Sequence, residues 1–541
     1  ALIPVFYVLA EVVQSSRNVV YWDEFDTALA FVLRLEEGVT IPQFFQQLFA
    51  INNEHRMLTS RFEIALTYWL TGTLDFRALS ALGNASLIGL CILLVRETGT
   101  MARRLRFAVV IGFVVFNFEH YENFLWSGSS IEHFQILLLV GISIIGIARG
   151  TTGGLITGAV FAALATFTLA HGVVVWPVGA AMLWQARRRR ELAGWGIVAA
   201  LVLAGFFLGF RVNASHEFAG FSFAGIVAIA HFWLTLLGSV PALNDTTAGP
   251  WVGVILVALV GWAAWTGSAR RERVLFPLTC FAIGAMALIA VGRAQNAGGL
   301  VHSRYLILSA LAWASTVFML LERYSHPRRP LKLLYAALPV LIGFNIAANI
   351  SFADEADSWV ECRDRAAVRF KQHGADGHGS FTLHPQPSHA TRLLHEAERR
   401  GVYRMASICE PRSFPHAKPS SRISYYIEEM EVNRHAAFVG GWAAIQGEDM
   451  ERGDLHLVLR SEHRMYVYST VSVSRPDVVK IHQQPGWLLG GFRFARTRDK
   501  LPAGEYQIGV LIDDGADGEY IMTAHRIVLD GEGKALLATA E

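Results

Sequence analysis

The sequence predicts a polytopic α-helical membrane protein of about eleven transmembrane helices, followed by an extramembrane α/β region and a β-sandwich. Three observations carry this prediction. The 541 residues are 53% hydrophobic and 17% charged, with a mean hydropathy of +0.35, where soluble chains carry roughly a quarter charged residues. Apolar runs recur through the first 349 residues, with basic clusters after every second one. Beyond 349 the hydropathy falls, and from about 425 the pattern turns to period-two alternation.

The runs lie at about 1–13, 77–95, 107–118, 129–148, 154–170, 172–186, 192–209, 250–267, 274–291, 303–321 and 331–349. The first is shorter than the roughly twenty residues a span needs, which implies a natural N-terminus upstream. Arg96, Arg103, Arg104 and Arg106 follow the second run, and Arg149 the fourth. Arg187 to Arg190 follow the sixth, Arg270, Arg271 and Arg273 the eighth, and Arg323, Arg328, Arg329 and Lys332 the tenth. The positive-inside rule makes those loops cytoplasmic, so the odd-numbered runs and everything after 349 exit on the outer side. A net charge of +2, with the basic residues in topology-type clusters, excludes a nucleic-acid surface. Of four cysteines, Cys91 and Cys280 lie in apolar runs, while Cys362 and Cys409 are candidates for a disulfide in an oxidising compartment.

The outer segments concentrate the chemistry. The first, 14–76, holds Tyr21-Trp22-Asp23-Glu24-Phe25-Asp26, then Asn52-Asn53-Glu54-His55-Arg56, and stretches 24–36 and 57–70 with the spacing of interfacial helices. The second holds Glu119, His120, Glu122 and Trp126. Later come His171, an apolar helix at 222–238 within the outer segment 210–249, then Arg293 and His302-Ser303-Arg304-Tyr305. Ionisable groups at the membrane boundary sit either among headgroups or in a shared polar cavity, and their recurrence in five outer segments favours the cavity.

A carboxylate beside a low-dielectric wall suits general-base work on a hydroxyl, which nominates Asp23, with Glu24 and Asp26 as neighbours in the same cluster. Glu54, His55, Glu119 and Glu122 are candidates to position an acceptor or a divalent metal such as Mg²⁺ or Mn²⁺, without a diagnostic ligand spacing. Arg56, Arg211, Arg293 and Arg304 are candidates to hold a phosphate. No phosphate-binding glycine loop, dinucleotide fingerprint or zinc helix occurs, and the cytoplasmic loops are too short for a nucleotide-sugar domain. A donor carried by a lipid on the outer side fits better.

The layout resembles the GT-C superfamily of integral membrane glycosyltransferases. The resemblance covers about 1–350 and rests on Trp22-Asp23-Glu24, Asn53 to Arg56, Glu122-Asn123 with Trp126, and Ser303 to Tyr305. It implies transfer of a sugar from a polyprenyl phosphate to a glycan, lipid or protein, inverting, with Asp23 as base. It further implies Glu24, Glu54 and His55 as positioning groups, and Arg293, Arg304 and Tyr305 near the donor phosphate. The implied setting is a bacterial inner membrane with a periplasmic C-terminal part: a connector at 350–424 and a β-sandwich at 425–541 that looks like domains appended to surface-polysaccharide proteins. Trp442 and Trp487 suit sugar stacking, although core positions suit them better. The rival reading is a non-enzymatic or transport subunit of a polysaccharide assembly. Against transport stand the lack of an internal repeat and charges gathered at one face.

Overall fold

The computed structural model describes all residues except 1, 211–221, 295–300, 326–330, 374–382, 406–410, 413, 415–416, 433–435, 451–453, 463, 498–500, 514–517, 530–536 and 540–541. The chain forms two compact units. One comprises Ala1–Ser16 and Asp26–Asp357, the other Arg17–Phe25 and Ser358–Glu541.

The first unit is helical. It begins with α1 (Leu2–Ser15), then a π turn (Phe25–Leu29) leading into α2 (Ala30–Glu36), α3 (Ile41–Leu48) and α4 (Leu58–Thr71). A capping box of Thr40 and Gln43 starts α3, and Asp75 caps α5 (Phe76–Glu97) by accepting from the Arg77 amide. Next come α6 (Met101–Val115), a 3₁₀ turn (Phe118–His120), α7 (Tyr121–Leu125), and α8 (Ser127–Ser129), which runs through a π turn (Ser130–Phe134) into α9 (Gln135–Ala148). The rest are α10 (Thr152–Thr168), α11 (Val175–Gln185), α12 (Arg189–Phe207), α13 (Phe223–Gly238), α14 (Gly249–Trp265), α15 (Ser268–Arg271), α16 (Leu275–Arg293), α17 (Leu306–Tyr324) and α18 (Lys332–His373).

Each of the eleven apolar runs lies on a helix. Six described stretches are long and apolar enough to cross a membrane: Phe76–Glu97, Ser127–Ala148, Arg189–Phe207, Leu275–Arg293, Ser303–Tyr324 and Lys332–Asp364. Small residues let their neighbours approach. Gly146, Gly154 and Gly158 join α9 to α10, where Ser143 Oγ also donates to the Gly158 carbonyl at 2.8 Å. Gly238 meets the Gly249 carbonyl, and Gly253 the Leu234 carbonyl, closing α13 on α14 as a hairpin.

Two expectations change. The helix expected at 222–238 in an outer segment packs along the bundle instead: Trp233 donates to the Ile283 carbonyl of α16 at 3.1 Å, and Trp313 of α17 donates to Leu237 at 2.9 Å. Likewise the last run does not end at 349. The polar residues after it continue the same helix to His373, because a fall in hydropathy marks where apolar surroundings end and does not break a helix.

The second unit contains the tail of α18, α19 (Pro387–Arg399), and the strands β1 (Pro411–Arg412), β2 (Lys418–Pro419), β3 (Ile423–Val432), β4 (Ala436–Ile445), β5 (Asp454–Arg460), β6 (Met465–Ser469), β7 (Val471–Val473), β8 (Gly491–Thr497), β9 (Gly504–Asp513), β10 (Glu519–Leu529) and β11 (Leu537–Thr539), with α20 (Pro476–His482) before β8. One sheet runs β1-β6-β5-β9-β10-β11 with β2 beside β10, and the other β3-β4-β8-β7. A single core takes side chains from both, among them Phe438, Phe492, Phe494, Leu457, Ile508 and Val510. Trp442 and Trp487 are buried in that core, which agrees with the core reading and leaves neither ring open to a sugar.

Candidate functional site

The acidic stretch belongs to the second unit up to Phe25. Its turn is tight: the Glu24 amide donates to Tyr21 O at 3.1 Å, and the Phe25 amide to Trp22 O at 3.2 Å. Trp22 takes φ of +52°, which costs a non-glycine residue about 1 kcal/mol or more. The turn is anchored at both ends. The Trp22 amide donates to Leu383 O at 2.6 Å, the Tyr403 hydroxyl donates to Asn18 O at 2.9 Å, and Arg17 meets Asp364 at 3.3 Å. Tyr21 packs edge-on against Trp359 at 5.5 Å, and Phe25 lies 5.4 Å from His384.

The two acids at the tip differ. Glu24 is buried and accepts from the Tyr21 amide at 2.8 Å, so its carboxylate closes the turn. Asp23 is half-buried at the apex. Burial and the neighbouring Glu24 carboxylate hold the Tyr403 phenol well above its ordinary value, so it stays a neutral donor. Asp26 is the second residue of the π turn Phe25–Leu29 and belongs to the first unit.

In the first unit a polar cluster forms where α7, the 3₁₀ turn Ser303–Tyr305, the start of α9 and the end of α10 meet. Glu122 Oε2 accepts from Ser303 Oγ at 2.8 Å and from the Arg304 amide at 3.1 Å. Asn123 donates to the Arg304 carbonyl at 2.8 Å and accepts from Ser129 Oγ at 2.6 Å. These bonds fix the backbone of Arg304 and leave its guanidinium over two aromatic faces, Trp126 at 5.7 Å and Tyr305 at 5.4 Å. His133 lies 6.1 Å from Tyr305 and 6.4 Å from His171, ring to ring. Sequence reasoning missed His133 because it sits inside an apolar run; its signal was Glu132-His133 interrupting that run.

The loop before α4 is knitted by two arginines. Arg56 donates to the carbonyls of Phe49 (2.8 Å), Phe206 (3.0 and 2.9 Å) and Leu208, which commits four of the five guanidinium N–H groups. That corrects the phosphate role expected of Arg56: it is a loop staple. Arg61, 4% exposed, donates to Gln47, Ala50 and Arg56 carbonyls, and burial lowers it to about 10. Held on this loop, His55 Nδ1 accepts from the Ala170 amide at 3.1 Å, and Glu54 lies 3.9 Å from Arg293.

Glu119 is fully buried, and neither carboxylate oxygen has a hydrogen-bond partner among the described residues. Burial raises its pKa well above the usual range and lowers His120 to about 3, so both are neutral. Among the described residues, no group of three or more His, Cys, Asp or Glu side chains is arranged to hold a metal ion.

The chain matches no family model, no curated protein and no solved structure. Arg211 and Cys409 lie outside the described residues; Cys362 is half-buried on α18. Arg304, Tyr305, Glu122, His133 and His171 come together, Arg293 pairs with Glu54, and Asp23 stands on a rigid turn. An aromatic-backed guanidinium of this kind suits an oxyanion, and a half-buried carboxylate suits proton acceptance.

Proposed function

We propose that the protein is a membrane glycosyltransferase. It moves a sugar from a polyprenyl-phosphate donor to a glycan, lipid or protein acceptor on the periplasmic face of a bacterial inner membrane, through about eleven spans with the C-terminal unit outside. The observation that carries the proposal is the Arg304 guanidinium, backed by Trp126 and Tyr305 and held by Glu122 through its own backbone. In the reaction the acceptor oxygen attacks the anomeric carbon and gives up its proton to a carboxylate, the role that the family resemblance assigns to Asp23, and the carbon–oxygen bond to the phosphate breaks with inversion. The bond pair leaves on the lipid phosphate, whose added negative charge Arg304 and Arg293 stabilise.

The test is Asp23→Asn, with polyprenyl-phosphate sugars from expressing membranes quantified by mass spectrometry. The folded variant should lose transfer by about 10²–10⁴-fold, the usual range for a general base, so the lipid-linked pool stays full. Transfer at the wild-type rate would remove Asp23 from the mechanism.

A further inference from the structure

At the end of the helical unit away from the Glu122 cluster, the arginines divide into two groups. Arg103 and Arg106 of α6 are neutralised. Arg103 lies 2.6 Å from Glu272 and 3.1 Å from Glu322, and Arg106 lies 2.5 Å from Glu322. Arg187, Arg189, Arg270 and Arg273 form no ion pair with any described residue, and Arg188 meets Glu191 at 3.3 Å. These last five line one open cavity of about 1530 Å³ between the ends of α9, α11 and α16. Its wall is apolar, with Pro177, Met182, Phe276 and Cys280 continuing from the arginines along the helices.

We infer that this cavity binds an anionic phospholipid of the surrounding leaflet, the headgroup phosphate among Arg187, Arg270 and Arg273 and the acyl chains over Met182 and Phe276. Three features point to a lipid. The uncompensated charge is matched by a phosphodiester, while Glu272 and Glu322 are taken up by Arg103 and Arg106, and Glu191 by Arg188. The volume exceeds the roughly 300–1,000 Å³ of small-molecule pockets, and it leads from a charged rim onto apolar wall as a lipid does. Two of the helices that bound the cavity, α9 and α16, are long and apolar enough to cross a membrane, and the cavity lies at the ends where the positive-inside rule puts the anionic cytoplasmic leaflet.

The test uses the full chain in detergent, with dioleoyl phosphatidylglycerol titrated against excess phosphatidylcholine and bound lipid counted by native mass spectrometry. The variant is Arg187→Gln/Arg270→Gln/Arg273→Gln. The control, Arg96→Gln/Arg104→Gln/Arg323→Gln, removes equal charge at the same end outside the cavity. Wild type and control should retain phosphatidylglycerol, and the variant should bind it on the order of a hundredfold more weakly, at about 1 kcal/mol per arginine. Equal binding by all three proteins, or equal loss by variant and control, overturns the site in favour of no site or of diffuse surface attraction. Displacement of the lipid by equimolar glycerol 3-phosphate also overturns it, in favour of a soluble phosphate ligand. Should the triple variant not fold, Arg273→Gln alone should weaken binding about fivefold, and no change overturns the proposal.

Discussion

In the helical unit, Arg56, Arg61, Glu63, Glu122 and Arg106 are buried or half-buried and bonded to backbone carbonyls, amides or one another across distant segments. Across the two sheets, the pairs Arg422–Glu448 and Arg526–Glu505 join side chains that are largely at the surface, while Arg475, paired with Asp477, and Arg496, stacked on Tyr468, are more deeply placed. The sheets get their cohesion from strand pairing and an apolar core, so their charges are accessory. In the bundle, short helices and loops between the longer helices have unpaired backbone groups, and charged side chains satisfy them. The same residue types therefore differ in consequence.

The largest effect should come from Arg56→Met. It leaves the Phe49, Phe206 and Leu208 carbonyls without their donor, which at the cost of charged hydrogen bonds lowers stability by about 3 kcal/mol. Melting of the purified protein in detergent measures it, and an unchanged melting temperature would break the comparison at its strongest point. Glu122→Ala comes next, at about 2 kcal/mol, because Ser303 Oγ and the Arg304 amide both lose their acceptor. On the proposed mechanism it should also weaken donor binding more than it lowers turnover, since Glu122 holds the Arg304 backbone.

The ranking bears on what the sequence could reveal. The eleven apolar runs were legible, because sustained apolar composition follows directly from apolar surroundings, and six of the described stretches are long and apolar enough to cross a membrane. The strands β5, β6, β9 and β10 were legible for the same reason at period two. Strand β4, Ala436-Ala-Phe-Val-Gly-Gly-Trp-Ala-Ala-Ile445, was not: every position is buried, so nothing alternates. Site residues were harder. Asp23 and Glu24 are equivalent in sequence, and what separates them is a hydrogen bond from Tyr21. Arg56 and Arg304 are both arginines beside aromatic stretches, and what separates them is whether backbone carbonyls from α12 arrive at the guanidinium. Glu119 and Glu122, three residues apart, part because Ser303 reaches only one of them.

Glu63 sharpens the comparison through pH. Burial raises its carboxyl from 4.5 to about 8, partly offset by the hydrogen bond from Gln135. The folded state thus holds this proton more tightly than the unfolded chain. Stability is fullest below the unfolded pKa and declines as pH rises from about 4.5 to about 8, where the folded group ionises. Melting temperature should therefore fall over that interval in the wild type and stay flatter in Glu63→Gln. Parallel curves for the two proteins would show Glu63 ionised throughout.

The smallest effect should come from Arg422→Ala. Arg422 pairs with Glu448 at 2.9 Å and with Glu519, yet 52% of its side chain is exposed. Its attraction is screened by water and salt, and holding three long side chains in one geometry opposes it. The β3–β4 pairing beside it is a ladder of backbone bonds, and the underlying core residues Ile423 and Ile445 are untouched by the change. The variant should melt with the wild type at low and high salt alike. A clear loss at low salt that vanishes at high salt would mean that the sheet charges act as a network, as those of the bundle do, and the division between the two units would then rest on burial alone.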